Sequence, residues 1–253
     1  MRSLEEVAAV GDLVRLGLND SEISRQTGIS RTTVRDWRRT SRWSVSPDTK
    51  SCARCGAALH RFDNLPPDYA YLLGLYLGDG WLSSHPRGVY RLRIVLDDRY
   101  PGIIEECRHA VQRVLPENKA AVQPRTVGAC SEVYAFSKQL PCLFPQHGPG
   151  RKHERPIELA TWQQDIVNAH PEKLLRGLLH SDGCRFINPI RHGDKLYTYP
   201  RYAFSNASSD IRRIFCDACD LLGIEWRVMN ARNISVARRE SVARLDEFVG
   251  PKA

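Results

Sequence analysis

Two stretches of this chain repeat one another: Leu72-Leu73-Gly74-Leu75-Tyr76-Leu77-Gly78-Asp79-Gly80 and Leu175-Arg176-Gly177-Leu178-Leu179-His180-Ser181-Asp182-Gly183. Both are mostly apolar and end in an aspartate and a glycine. Both carry glycine at the third position and a small residue, Gly78 or Ser181, four positions later. Residues four apart share a helix face, and small residues one turn apart let two helix backbones approach closely and cross. The chain is therefore expected to fold around a pair of packed helices, with Asp79 and Asp182 as neighbours at one end. Asp68 and Pro171-Glu172 read as the helix starts, and Gly80 and Gly183 as left-handed C-caps.

Two carboxylates placed in this way are in conflict. Each stands at the negative end of its own helix dipole, and each raises the other's affinity for a proton. A divalent cation between them removes the conflict. Acids that flank metal ions roughly 3.5–4 Å apart suit in-line displacement at a phosphodiester. The plainer alternative is two core helices whose terminal aspartates face solvent. Agreement of both copies in glycine, small residue, acid and final glycine argues against it.

Both nonapeptides resemble the motif of the LAGLIDADG homing endonuclease family in its single-chain, two-motif form. The resemblance runs from about Pro67 to the C-terminus. It implies an α+β fold, a pseudo-twofold pair of αββαββα halves forming a DNA-binding saddle with the motif helices at its centre. It also implies magnesium-dependent cleavage of both strands of double-stranded DNA. Two or three magnesium ions would be held by Asp79 and Asp182, helped by the backbone carbonyls of Gly78 and Ser181. Family members place a basic residue, most often lysine, just after the fourth strand of each half. Lys138 holds that place in the first half and Arg238 or Arg239 in the second, a departure that leaves equal rates on the two strands open. LAGLIDADG folds also serve as RNA maturases and as DNA-binding regulators that do not cut. Retention of both acids favours the nuclease.

Charge agrees with such a partner. A formal net charge of +8 and a pI near 9.2 favour a polyanion, nucleic acid before membrane. The longest apolar run, Tyr69 to Leu77, is too short to span a bilayer. Met1 to Gly11 holds acids and no apolar signal core, so a cytoplasmic protein associated with DNA is expected. Its eight cysteines are then thiols or metal ligands. The expected divisions are residues 1–41, 42–66, 67–150 and 151–253. With both halves in one chain, a monomer is the simplest assembly.

Residues 1–41 carry the pattern of a small all-α domain. Leu4 to Leu16 has apolar residues at helical spacing, broken by Gly11. Asn19 and Glu22 match a capping box that opens a helix over Ser21 to Thr27. Gly28-Ile29 makes a turn, and Ser30 caps a third helix from Arg31 to about Arg39. Ile29, Val34 and Trp37 would face inward, and Arg31, Thr32, Thr33, Arg35, Arg38 and Arg39 outward. This resembles a helix-turn-helix whose third helix enters the major groove, with short polar residues reaching bases and arginines reaching phosphates.

Residues 42–66 read as a linker. Cys52-Ala53-Arg54-Cys55-Gly56 has the spacing and trailing glycine of a zinc knuckle. His60 follows at a ligand interval, but Leu65 stands where a fourth ligand is expected. Zinc would therefore need a donor from elsewhere, with Cys142, His147 and His153 as candidates; two free thiols are the alternative.

In the first half, Tyr90, Leu92, Ile94 and Leu96 alternate with Arg91 and Arg93, which would line the DNA side of a strand over Val89 to Asp97. A helix follows, marked by Ile103, Cys107, Val111 and Val114. A third strand from Ala121 to Val127 would expose Gln123 and Arg125, and a fourth covers Val133 to Phe136. The second half repeats this order about one hundred residues on. A hairpin over Cys184 to Ser205 places Tyr202 and Phe204 inward and Arg201 outward. A helix at Ile211 to Leu222 leads to strands at Glu225 to Met229, with Arg227 facing DNA, and at Asn233 to Ala237. Pro141 to Pro156, rich in proline, glycine, histidine and basic residues, reads as a hinge between the halves that either contacts phosphates or is an ordinary solvated linker.

Overall fold

In the computed structural model the described residues are 4–40, 52, 54–56, 62–250 and 252. Contacts group the chain into two units, Met1–Cys52 and Ala53–Ala253. The expected domain boundary at residue 42 and His60 lie outside the described residues.

The first unit has three helices, α1 (Leu4–Arg15), α2 (Asp20–Thr27) and α3 (Arg31–Thr40). Val7, Val10, Ile23, Ile29, Val34 and Trp37 close its small core. The capping box is formed: the Asn19 side chain accepts from the Ser21 and Glu22 amides, and Glu22 accepts from the Asn19 amide. Gly28 ends α2 in the left-handed region at φ 68°, where a Cβ would be strained. Gly11 does not interrupt α1 as expected; it is buried inside the continuous helix.

The second unit runs α4 (Asp68–Asp79), β1 (Gly80–His85), β2 (Val89–Asp97), α5 (Pro101–Val114), β3 (Ala121–Pro124), β4 (Cys130–Ser137) and α6 (Leu140–Leu143). After α7 (Thr161–Ala169) it repeats the order as α8 (Pro171–Asp182), β5 (Gly183–His192), β6 (Lys195–Ser205), α9 (Ser209–Leu221), β7 (Arg227–Val228), β8 (Asn233–Val236) and α10 (Arg239–Val249). Its two antiparallel sheets have orders β1-β2-β4-β3 and β5-β6-β8-β7. The unit is α+β, two αββαββα halves joined through α7. Register matches as well, since Gly80 pairs with Ile94 and Gly183 with Phe204.

The alternation read from sequence sets the faces. Leu92, Ile94, Val133 and Ala135 are fully buried under the first sheet, as Tyr202, Phe204, Ile234 and Val236 are under the second. Every residue of α4 from Tyr69 to Leu77 is buried, so both halves share one core.

Several expectations are corrected. Gly80 and Gly183 are not left-handed caps: their φ values are −93° and −104°, and β1 and β5 begin there. Glycine is needed because a Cβ would stand 2.6 Å from Tyr76 Cα at Gly80 and 2.7 Å from Leu179 Cα at Gly183. β3 stops at Pro124, and β7 covers only Arg227–Val228. Pro141 to Pro156 is not a simple linker. It is tied to the core by a buried polar chain: Gln146 donates to Gln163, Gln163 to the Tyr69 hydroxyl, and Tyr69 to the Leu143 carbonyl, at 2.6, 2.6 and 2.5 Å. Among the described residues no helix is long and apolar enough to cross a membrane.

Candidate active site

The site is made by close approach of α4 and α8. A Cβ on Gly74 would lie 2.6 Å from the Leu174 carbonyl oxygen, and one on Gly177 would lie 2.2 Å from that of Tyr71. One turn on, a Cβ on Gly78 would meet Ser181 Oγ at 2.2 Å and Asp182 Oδ2 at 3.0 Å. The backbones touch because the sequence removes the side chains that would separate them. Asp79 and Asp182 therefore come together at one end of the seam.

Their electrostatics follow from that placement. Burial pushes the Asp79 carboxyl up to about 6, and the nearby Asp182 pushes it in the same direction. Burial also raises Asp182, opposed by a hydrogen bond from Asn206 Nδ2 at 2.6 Å and by Lys152 and Lys252. Both acids are held above their ordinary range because burial outweighs the positive charge of Lys152 and Lys252 beside them.

Two clefts open at the seam, and their composition is crossed. One contains Asp79 with Ser181, Gly183 and Lys252. The other contains Asp182 with Leu77, Gly78 and Lys152. Each acid thus shares its cleft with the terminal backbone of the opposite helix and with one lysine. Lys152 donates to the Tyr76, Leu77 and Gly78 carbonyls, the last two at 2.9 and 3.0 Å. Lys252 donates to the Gly183 carbonyl. An ammonium at the C-terminal end of a helix satisfies orphan carbonyls and complements the dipole. Burial pushes Lys152 down to about 8, opposed by Asp79 and Asp182. It lowers Lys252 too, opposed first by Asp79.

The basic residues expected beside the acids lie elsewhere. Neither Lys138 nor Arg238 lines either cleft. Arg238 pairs with Glu225 and Glu240, and shares a groove with Arg201 and Arg227. Arg239 opens α10. Position after a strand did not locate the cations; Lys152 comes from the hinge and Lys252 from beyond α10. In the sequence Lys152 is one basic residue among several in the hinge, and Lys252 belongs to no motif. Asn206 lies just before α9, and its bond to Asp182 is a tertiary fact.

On the first sheet Arg91 and Arg93 point away from the core, as the alternation requires. Both converge on Glu132, which is fully buried: Arg91 pairs with it at 2.5 Å, and Arg93 Nε donates at 2.9 Å. Arg91 also lies over Tyr134 at 4.1 Å, and Arg93 over Trp81 at 4.8 Å. Sequence reading missed Glu132, although strand alternation puts it on the arginine face. Gln123 sits opposite Glu132 in β3, and Arg125 follows the strand in the turn to Cys130. On α3, Arg31, Thr32, Arg35 and Arg39 are exposed and Thr33 half-buried. Arg38 is tied down by the Leu18 carbonyl and Asp20, at 2.6 and 2.8 Å.

No protein-family model matches the chain, and no curated protein matches it. Solved structures do. The homing endonuclease I-DmoI in complex with DNA and Mn is 15% identical over 74% of this chain and 99% of its own, with a TM-score of 0.49. The LAGLIDADG meganuclease I-AabMI bound to uncleaved DNA is 11% identical over 71% and 82%, TM-score 0.46. The N-terminal LAGLIDADG domain of DUF199/WhiA is 12% identical over 75% and 88%, TM-score 0.45. The last two of these are LAGLIDADG proteins by name.

Proposed function

We propose that this chain binds double-stranded DNA site-specifically as a monomer and hydrolyses one phosphodiester on each strand with the help of a divalent cation. The observation that carries the reading is the crossed pair of clefts, each with one acid, the backbone end of the opposite helix and one lysine. Two equivalent centres at one seam suit two antiparallel strands.

The residues fit a cation. Two carboxylates sit together, both with raised proton affinity, beside helix-end carbonyls that already attract ammonium groups. Asp79 and Asp182, with the carbonyls of Gly78 and Ser181, would hold magnesium or a similar hard ion, since such ions favour oxygen donors. A bound ion supplies activation of water and charge for the leaving oxygen. The remaining work falls to the chain. Lys252 and Lys152 offset charge developing on the phosphoryl oxygens of the two strands. Asn206 orients Asp182 by occupying one of its oxygens. Arg91, Arg93, Gln123 and Arg125 of the first half, with Arg201, Arg227 and Arg238 of the second, contact the duplex. Helix α3 adds a second reader of the helix-turn-helix kind through Arg31, Thr32, Thr33, Arg35 and Arg39, and linked modules multiply affinity.

A DNA-binding regulator that does not cut is the second reading. It is favoured by Lys152, whose ammonium already occupies the Gly78 carbonyl that a metal would use. Selection of cleaved sequences from a random DNA library with magnesium decides between them. A recovered consensus site whose cutting disappears in a chain carrying both Asp79→Asn and Asp182→Asn supports the nuclease. Tight site-specific binding with no magnesium-dependent product supports the regulator, and no site-specific binding removes both.

A further inference from the structure

Three of the eight cysteines converge. The thiols of Cys52, Cys55 and Cys142 lie within 4.8 Å of one another. The other five do not join them. Cys107, Cys216 and Cys219 are buried in the apolar core, where burial pushes their thiols up, and Cys130 and Cys184 lie on strands of different sheets. Core thiols of that kind are inert. The convergent three differ in having Cys52 and Cys55 half-exposed and reachable from solvent.

We propose that Cys52, Cys55 and Cys142 form a structural zinc site, independent of the acids at the α4–α8 seam and of the nuclease reading. Cys52 and Cys55 stand at knuckle spacing, and Gly56 follows in the left-handed conformation at φ 68°, which lets the chain turn back over a bound ion. Tetrahedral zinc with Zn–S bonds of about 2.3 Å places sulfurs roughly 3.8 Å apart. Thiols already within 4.8 Å reach that spacing by side-chain rotation and a small contraction. The fourth position is left for water.

The site would have a defined mechanical consequence. Cys142 lies in α6, one residue before the Leu143 carbonyl that receives the Tyr69 hydroxyl. The same segment continues through Gln146 to Lys152, the lysine at the end of α4. Zinc bound there would anchor the start of the hinge whose far end supplies a cation to the candidate active site.

The test uses the full chain purified under reducing conditions, with elemental analysis of metal content and Co2+ as a spectroscopic replacement. The expected result is about one zinc per chain. With Co2+, a thiolate-to-cobalt charge-transfer band and tetrahedral d–d bands should appear. Cys55→Ser and Cys142→Ser should each weaken zinc binding by at least ~100-fold, whereas Cys130→Ser should leave it unchanged. The proposal is overturned if the wild-type chain binds neither zinc nor Co2+, or if Cys142→Ser binds zinc as tightly as wild type. A metal-free chain with a Cys55–Cys142 disulfide overturns it equally. The Co2+ spectrum of the wild-type chain decides the matter even if a serine variant does not fold.

Discussion

Gly78 and Ser181 meet across the α4–α8 seam with no space for a methyl group, since a Cβ on Gly78 would come within 2.2 Å of Ser181 Oγ. The adjacency of Asp79 and Asp182 rests on that missing side chain. Each acid is the next residue along, so any separation of the helices at Gly78 separates the acids.

The seam is tested most directly at Gly177. Its Cβ would meet the Tyr71 carbonyl oxygen at 2.2 Å, a backbone atom that cannot rotate away. Alanine gains up to ~1 kcal/mol of helix propensity, but overpacking of this kind costs about 1–3 kcal/mol or more. Gly177→Ala should therefore lower stability in urea denaturation. A more stable variant would mean that the helices do not touch.

Single replacement of either acid separates the two centres. Asp79→Asn and Asp182→Asn should each keep DNA affinity close to wild type while the product changes from a double-strand break to a nick in one strand. Strand-resolved electrophoresis of an end-labelled target is the measurement. If both variants cut both strands at the wild-type rate, the acids are not the ion's ligands.

Asp79 also makes stability depend on pH. Its folded value of about 6 exceeds the ordinary 3.8, so the metal-free folded chain holds this proton more tightly than the unfolded chain. The stability from that proton is full below about pH 4 and is lost as pH rises through 6. Asp79→Asn should then stabilise the metal-free protein at pH 7.5 by on the order of 1–3 kcal/mol, with little gain at pH 4. Thermal unfolding of both proteins in chelator across this range checks the sign. An asparagine variant less stable at pH 7.5 would show that Lys152 and Lys252 outweigh burial.

Glu132 holds Arg91 and Arg93 together while carrying no exposed surface itself. Glu132→Gln leaves two guanidinium groups without a counter-charge and should cost about 1–3 kcal/mol of stability. It should also steepen the salt dependence of DNA binding, because both arginines become available to phosphates. An unchanged salt slope would show that these arginines do not reach the DNA backbone.

On α3 the arginines should split by partner. Arg39→Ala should reduce the salt slope of DNA binding by about one with little effect on folding. Arg38→Ala should instead destabilise the three-helix unit by roughly 1 kcal/mol, because its guanidinium holds the Leu18 carbonyl and Asp20. Equal behaviour of the two variants would contradict this division.

Much of this architecture was legible in the chain. Repetition of a glycine-spaced apolar run with a terminal acid predicted the seam, since close helix approach depends on residue size at fixed intervals, which sequence displays directly. Alternation at Leu92, Ile94, Tyr202 and Phe204 assigned the sheet faces for the same reason. The capping box at Asn19 is local chemistry within one turn, and it formed as read.

What sequence alone determined was therefore the two motif helices, most of the strands, their duplication and the expected pairing of Asp79 with Asp182. Tertiary structure decided which cations face those acids, because Lys152 and Lys252 arrive through loops whose paths depend on packing rather than on spacing from the motif. It also decided that Glu132 joins the two arginines, that Gly80 and Gly183 start strands, and that Cys142 meets a cysteine pair far away in the chain. Periodicity reports which face a residue presents within its own element; it carries no information about which distant segment comes to stand against that face.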